Sequence, residues 1–86
     1  MSVSVIIPVR NRPRLITRAI RSALSQGFVV REILVVDDAS SDETLESARQ
    51  IAREDCRVKV IGLPVQVGAQ QSRNVGFAAS SSEYIA

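Results

Sequence analysis

Two adjacent aspartates, Asp37 and Asp38, close the apolar run in "EILVVDDASSDET". Paired carboxylates can share a proton in acid–base work. On an extended strand, however, neighbouring side chains point to opposite faces, so at most one of the two faces a given pocket. A carboxylate only accepts hydrogen bonds. It suits a ribose hydroxyl or a base N–H, and it repels phosphate. The structural alternative is that one aspartate supports the turn and the N-terminus of the following helix. A second group is "IPVRNRP". Pro8 fixes the backbone as it leaves the strand, and Val9, Arg10, Asn11 and Arg12 follow. A guanidinium can stack on a base or hold a diphosphate; otherwise Asn11 caps a helix and the arginines are solvated. A third group is "VGAQQSRNVGF". Gly68 stands where a loop passes into a helix, and Arg73 and Asn74 lie inside that helix, with a solvent-facing arginine as the plain alternative.

Several chemistries are excluded by what is missing. The chain of 86 residues has no histidine and one cysteine, which removes histidine-based triads, zinc sites and internal disulfides. Cys56 has no histidine partner for nucleophilic work and reads as a small filler, and Lys59 reads as a solvent-facing strand residue. A lone cysteine fits a reducing compartment. A net charge of +2, with no long basic run, is too weak to imply nucleic acid. No apolar stretch approaches the roughly 20 residues of a membrane span, and no secretory leader is visible. The expectation is a cytoplasmic protein with no membrane segment in this chain.

The elements that must position these residues follow from the hydrophobic pattern. "VSVIIPV" and "EILVVDD" read as strands buried on both faces, and the more alternating "RVKVIGL" reads as an edge strand. "NRPRLITRAIRSALSQG" reads as a helix, with Asn11 as N-cap, Pro13 in the first turn and Gly27 as the stop. In the second helix, "SSDETLESARQIARED", Ser40 and Glu43 fit a capping box. "GAQQSRNVGFAASS" reads as a third helix weakened by Gly76, and "EYIA" begins a fourth strand. Alternating strands and helices predict an α/β fold, an open, mostly parallel βαβαβαβ sheet with helices on both faces. Ligands in such sheets bind beyond the carboxyl ends of the strands. That edge comprises residues 8–12, 37–41 and 63–68.

Three other classes compete. A dinucleotide-binding half-domain needs G-x-G-x-x-G after its first strand; "PVRNRP" has no glycine there. A receiver domain places its acidic pair after the first strand, not the second. A non-catalytic nucleotide-binding or interaction module has no contrary residue.

"VSVIIPVRNRPRLITRAIRSALSQ", "EILVVDDASSDET" and "VGAQQSRNVGFAASSSEYIA" together resemble the N-terminal, Rossmann-like nucleotide-binding half of inverting family-two glycosyltransferases of the GT-A fold. The likeness covers essentially the whole chain. The family's first block reads Ile-Pro-x-Tyr-Asn: Pro8 and Asn11 match, and Arg10 stands where tyrosine is usual, so that either a guanidinium plane replaces the ring or the site is altered. Its Val-Asp-Asp-x-Ser segment matches residues 36–40, which implies that Asp38, and Asp37 after it, contacts the base or ribose. Its Gly-x-x-x-Ala-Arg-Asn-x-Gly segment resembles residues 68–76, with Ser72 replacing the alanine, and implies that Arg73 and Asn74 shape the nucleotide site.

The resemblance implies strand order 3-2-1-4, truncated inside the sheet, with residues 1–86 forming a nucleotide-sugar-binding subdomain incomplete at its C-terminal edge. It implies an enzyme that passes a sugar from a nucleoside-diphosphate donor, a UDP-sugar foremost, to an acceptor with inversion. The nucleotide-binding set is then Pro8, Val9, Arg10, Asn11, Asp37, Asp38, Gly68, Arg73 and Asn74. The metal-binding Asp-x-Asp, the divalent Mg or Mn it holds, and the catalytic base are expected beyond Ala86. The fragment alone is therefore expected to bind no metal and to be inactive. An exposed apolar fourth strand would also favour self-association.

Overall fold

The computed structural model describes residues 3–26, 29–81 and 84–85. Strands β1 (Val3–Val9), β2 (Val30–Asp37), β3 (Val58–Gly62) and β4 (Tyr84–Ile85) alternate with helices α1 (Pro13–Leu24), α2 (Thr44–Glu54) and α3 (Ala69–Ala79). The four strands form one parallel sheet in the order β3-β2-β1-β4, the order the sequence predicts. β2 is flanked on both sides and buried from Glu32 through Asp37, as its unbroken apolar run requires. β3, whose pattern alternates, lies at an edge.

Odd-numbered residues of β1 and of β2 from Ile33 onward, and even-numbered residues of β3, face the first helical layer. Val9, Ile33, Val35 and Val58 pack there with Ile16 and Ile20 of α1 and Ala48 and Ile51 of α2. The opposite face, with Ile6 and Val36, receives α3. The helix stripes thus turn apolar residues to the sheet at the expected spacing. No helix among the described residues is long and apolar enough to cross a membrane.

The helix starts differ from expectation. Arg12, not Asn11, is the N-cap of α1 and makes no side-chain cap. The predicted stop at Gly27 lies outside the described residues. The capping box of Ser40 and Glu43 does not form, because α2 begins at Thr44 and Ser40 is engaged elsewhere. Asp42 serves that end instead: its Oδ1 accepts the Thr44 amide and hydroxyl, which hold its carboxyl below the usual range. Self-association gains no support from β4. Its described part is two residues, paired with β1 through Val3 and Ser4.

Gly76 does more than weaken α3. A Cβ there would lie 2.6 Å from Cγ2 of Ile6 and 3.2 Å from Cγ2 of Val36. Both methyls sit on β-branched carbons with little rotamer freedom, so the missing side chain lets the helix rest directly on the sheet.

At the amino ends of the strands, Glu32 is 1% exposed. Its carboxylate accepts the Ser4 hydroxyl, the Ser81 amide and hydroxyl, and Lys59 Nζ at 3.1 Å. Lys59, half-exposed as a strand lysine should be, thus still reaches the buried acid. One side chain joins β1, β2, β3 and the segment leading to β4. Burial pushes the Glu32 carboxyl up, but the bonds from Ser4, Ser81 and Lys59 outweigh it and lower it to about 2.

Two outcomes follow from this packing. Gly76→Ala is expected to lower the unfolding free energy by about 1–3 kcal/mol in urea titration, the overpacking exceeding the gain in helix propensity. Because the Glu32 carboxyl lies at about 2 when folded against an ordinary 4.5, its contribution is complete above about pH 4.5 and is lost as pH falls toward 2. Glu32→Gln should lower stability at pH 7 by about 1–3 kcal/mol and flatten the decline between those pH values. An unchanged acid limb in denaturation measured across that range would contradict this account.

Candidate nucleotide site

The carboxyl ends of β1 and β2 face the start of α3 across a cavity of about 190 Å³. Pro8, Val9 and Arg10 line it from β1, and Asp38 from the end of β2. Gln66, Gly68, Ala69 and Ser72 line the third side. Five of the residues expected from sequence therefore meet in one place: Pro8, Val9, Arg10, Asp38 and Gly68.

The two aspartates diverge, as strand geometry requires. Asp37, 1% exposed, accepts the amide and hydroxyl of Ser40 at 3.0 and 2.6 Å. Asp38, 4% exposed, turns to the other side. Its Oδ1 accepts the Val67 amide at 2.7 Å and its Oδ2 the Gly68 amide at 2.8 Å. Two backbone donors make burial of that charge tolerable. They also fix the plane of the carboxylate while leaving each oxygen capacity for a further donor.

Asn11 holds the two neighbouring loops together. Its Oδ1 accepts the Ser41 amide at 2.8 Å, and its own amide donates to Ser40 Oγ at 2.9 Å. Ser40 thus connects Asp37 to Asn11. Asn11 and Asp37 brace the cavity wall from behind and do not line it. Both loops carry a non-glycine residue in the left-handed region, Asn11 at φ 54° and Ala39 at φ 56°. Asparagine tolerates that conformation and alanine does not. Gly68 adopts φ 97° at the head of α3, where its amide meets Asp38.

Arg10 and Arg73 are exposed. Arg10 stands at the rim of the cavity, whereas Arg73 and Asn74 lie on the outer side of α3, with Asn74 Oδ1 accepting from Gln70 at 3.3 Å. Sequence reasoning missed Ala69 and Ser72, and placed Gln66 only within the edge segment 63–68. The spacing of small residues at 69, 72 and 76 was the available signal for the face of α3 that approaches the sheet. Among the described residues no three acidic or cysteine side chains converge as a metal site. With Asp37 bound to Ser40 and Asp38 to the backbone, these two acids do not fit a divalent cation.

Comparison with known proteins matches the sequence to a family model and the fold to solved structures. The model described as glycosyl transferase family 2 matches residues 4–86. An uncharacterized glycosyltransferase of Haemophilus influenzae is 32% identical over 96% of this chain and 33% of its own length. The solved mannosyltransferase PcManGT of Pyrobaculum calidifontis, in complex with GDP-Man and Mn2+, superposes with a TM-score of 0.83 at 24% identity. That match covers 96% of this chain and 25% of the other. S. aureus TarS 1-349 in complex with UDP-GlcNAc gives a TM-score of 0.78 at 28% identity, over 99% of this chain and 25% of that one. The chain spans about a quarter to a third of the length of these relatives.

The strained loop offers a direct check on the cavity wall. Ala39→Gly is expected to raise stability by about 0.5–1 kcal/mol, relief of the left-handed alanine exceeding the added freedom of the unfolded chain. A lower midpoint in urea titration would show that Ala39 makes a packing contribution larger than its strain.

Proposed function

The chain belongs to glycosyl transferase family 2, and on that premise we propose that it forms the donor-nucleotide pocket of a sugar transferase. The observation that carries the reading is the placement of an immobilised acceptor, Asp38, in a cavity at the carboxyl ends of β1 and β2. Asp38 takes an N–H of the base or a hydroxyl of the ribose. Arg10, at the rim, lays its guanidinium on the base plane or against the diphosphate. Pro8, Val9 and Gly68 shape the walls, and Asn11 and Asp37 hold the loops in register. Arg73 and Asn74 enter this reading through the family resemblance alone, as groups that would meet the donor outside the cavity.

The substrate in this proposal is a nucleoside-diphosphate sugar, with UDP-sugars the first class to test. Relatives in solved complexes hold GDP-Man and UDP-GlcNAc. The transfer inverts the anomeric centre, a divalent cation offsets the diphosphate charge, and the proposal assigns the base and the metal ligands to none of these residues. Sugar transfer by these residues alone would overturn that last point. Self-association through β4 has no supporting observation and forms no part of the reading.

Titration of the purified protein with UDP and GDP by calorimetry tests the pocket. Binding is expected, with about tenfold loss in Arg10→Ala, whose exposed side chain leaves the fold intact, and a larger loss in Asp38→Ala. Absence of binding by the unaltered protein, or wild-type affinity in both variants, would refute the assignment.

A further inference from the structure

Ser72 lines the same cavity as Asp38, is 0% exposed, and its Oγ has no hydrogen-bond partner among the described residues. A helical hydroxyl ordinarily returns to a carbonyl one turn back, as Thr17 does to Pro13 O at 3.1 Å. The Ser72 amide does reach Gly68 O at 3.0 Å, but the side chain does not follow it. A buried hydroxyl left without a partner costs on the order of 1–3 kcal/mol. Alanine would fill the same space on α3 without that cost and with better helix propensity. The family resemblance places alanine here, so packing does not require the oxygen.

The hydroxyl is therefore best explained by a partner that arrives with the ligand. We propose that Ser72 is a specificity-determining residue whose hydroxyl bonds the polar edge of the donor nucleobase. This rests on the reading of the cavity as a nucleotide pocket. Asp38 can only accept, so it takes a donor of the base edge. The serine hydroxyl donates or accepts by rotation, so it can take the neighbouring atom of that edge. The diphosphate is the less suitable partner, because it would have to share the cavity with the Asp38 carboxylate, which repels it.

The test separates base from phosphate. Calorimetric affinities of wild type, Ser72→Ala and Ser72→Cys are measured for UDP, GDP and, as a probe without a base, inorganic pyrophosphate. Ser72→Ala is expected to weaken UDP, GDP or both by about 5- to 30-fold, to leave pyrophosphate binding or its absence unchanged, and to keep or raise the urea midpoint. Ser72→Cys, of similar size with a weak donor, should fall between. Unchanged affinity for both nucleotides in Ser72→Ala overturns the inference and leaves the pocket standing. An equal loss for pyrophosphate overturns it by assigning the hydroxyl to phosphate. Failure of wild type to bind either nucleotide overturns the pocket itself, and this inference with it.

Discussion

The bonds from the amides of Val67 and Gly68 to the Asp38 carboxylate are the constraint on which the site depends. They join the end of β2 to the head of α3 across 29 and 30 residues of chain. Without them a charge would be buried unpaired, and the loop before α3 would have no fixed height above the sheet. With them, Gly68 is held at φ 97° and α3 begins where the cavity needs a wall. On the other side of the strand end, Asp37 and Ser40 do the same for the loop into α2, and Asn11 carries that order across to β1. Two like charges can stand side by side because each is satisfied by a different loop.

The amino end of β2 repeats the device. Glu32 gathers donors from β1, β3 and the segment before β4, so the central strand has a buried acid near each end. Its middle, residues 33–36, is apolar and buried on both faces. An apolar strand of that kind specifies its register weakly by itself, since sliding it exchanges one aliphatic side chain for another. Sliding by one residue here would orphan Glu32 at one end and Asp38 at the other. The polar ends therefore select the register that the apolar middle only stabilises.

The strands, their parallel pairing and the apolar stripes of α1 and α2 were legible because each rests on local periodicity. The residues that bring the segments together were not. Asn11 and Ser40 carry good helix-cap chemistry, and local reasoning assigned them to caps. In the fold their side chains are taken by loops about 30 residues away, and the caps shift to Arg12 and Glu43. Glu32 gave no signal of its role, since nothing nearby in sequence reveals that Ser4, Lys59 and Ser81 converge on it. Asp38 stands at the carboxyl end of β2, where the order of elements put it, but the amides that orient it belong to a loop with no distinctive motif. Gly76 read as a defect because its use, contact with Ile6 and Val36, exists only once α3 lies on the sheet.

The composition bears on how such a pocket can recognise a base. Aromatic residues are 3% of the chain, and none among the described residues lines the cavity. Arg10 occupies the place where the family resemblance puts tyrosine, so in the proposed pocket the flat contact falls to an exposed guanidinium that water also solvates. Stacking by an exposed cation contributes less than stacking in a desolvated aromatic slot. Under the proposed reading, recognition shifts from the face of the base to its edge, where buried groups with fixed orientation count most. Asp38 has that orientation from the backbone. Ser72 is placed by the close approach of α3 that Gly76 permits. The small residues that let the helix settle on the sheet thus also bring its one buried hydroxyl to the cavity wall.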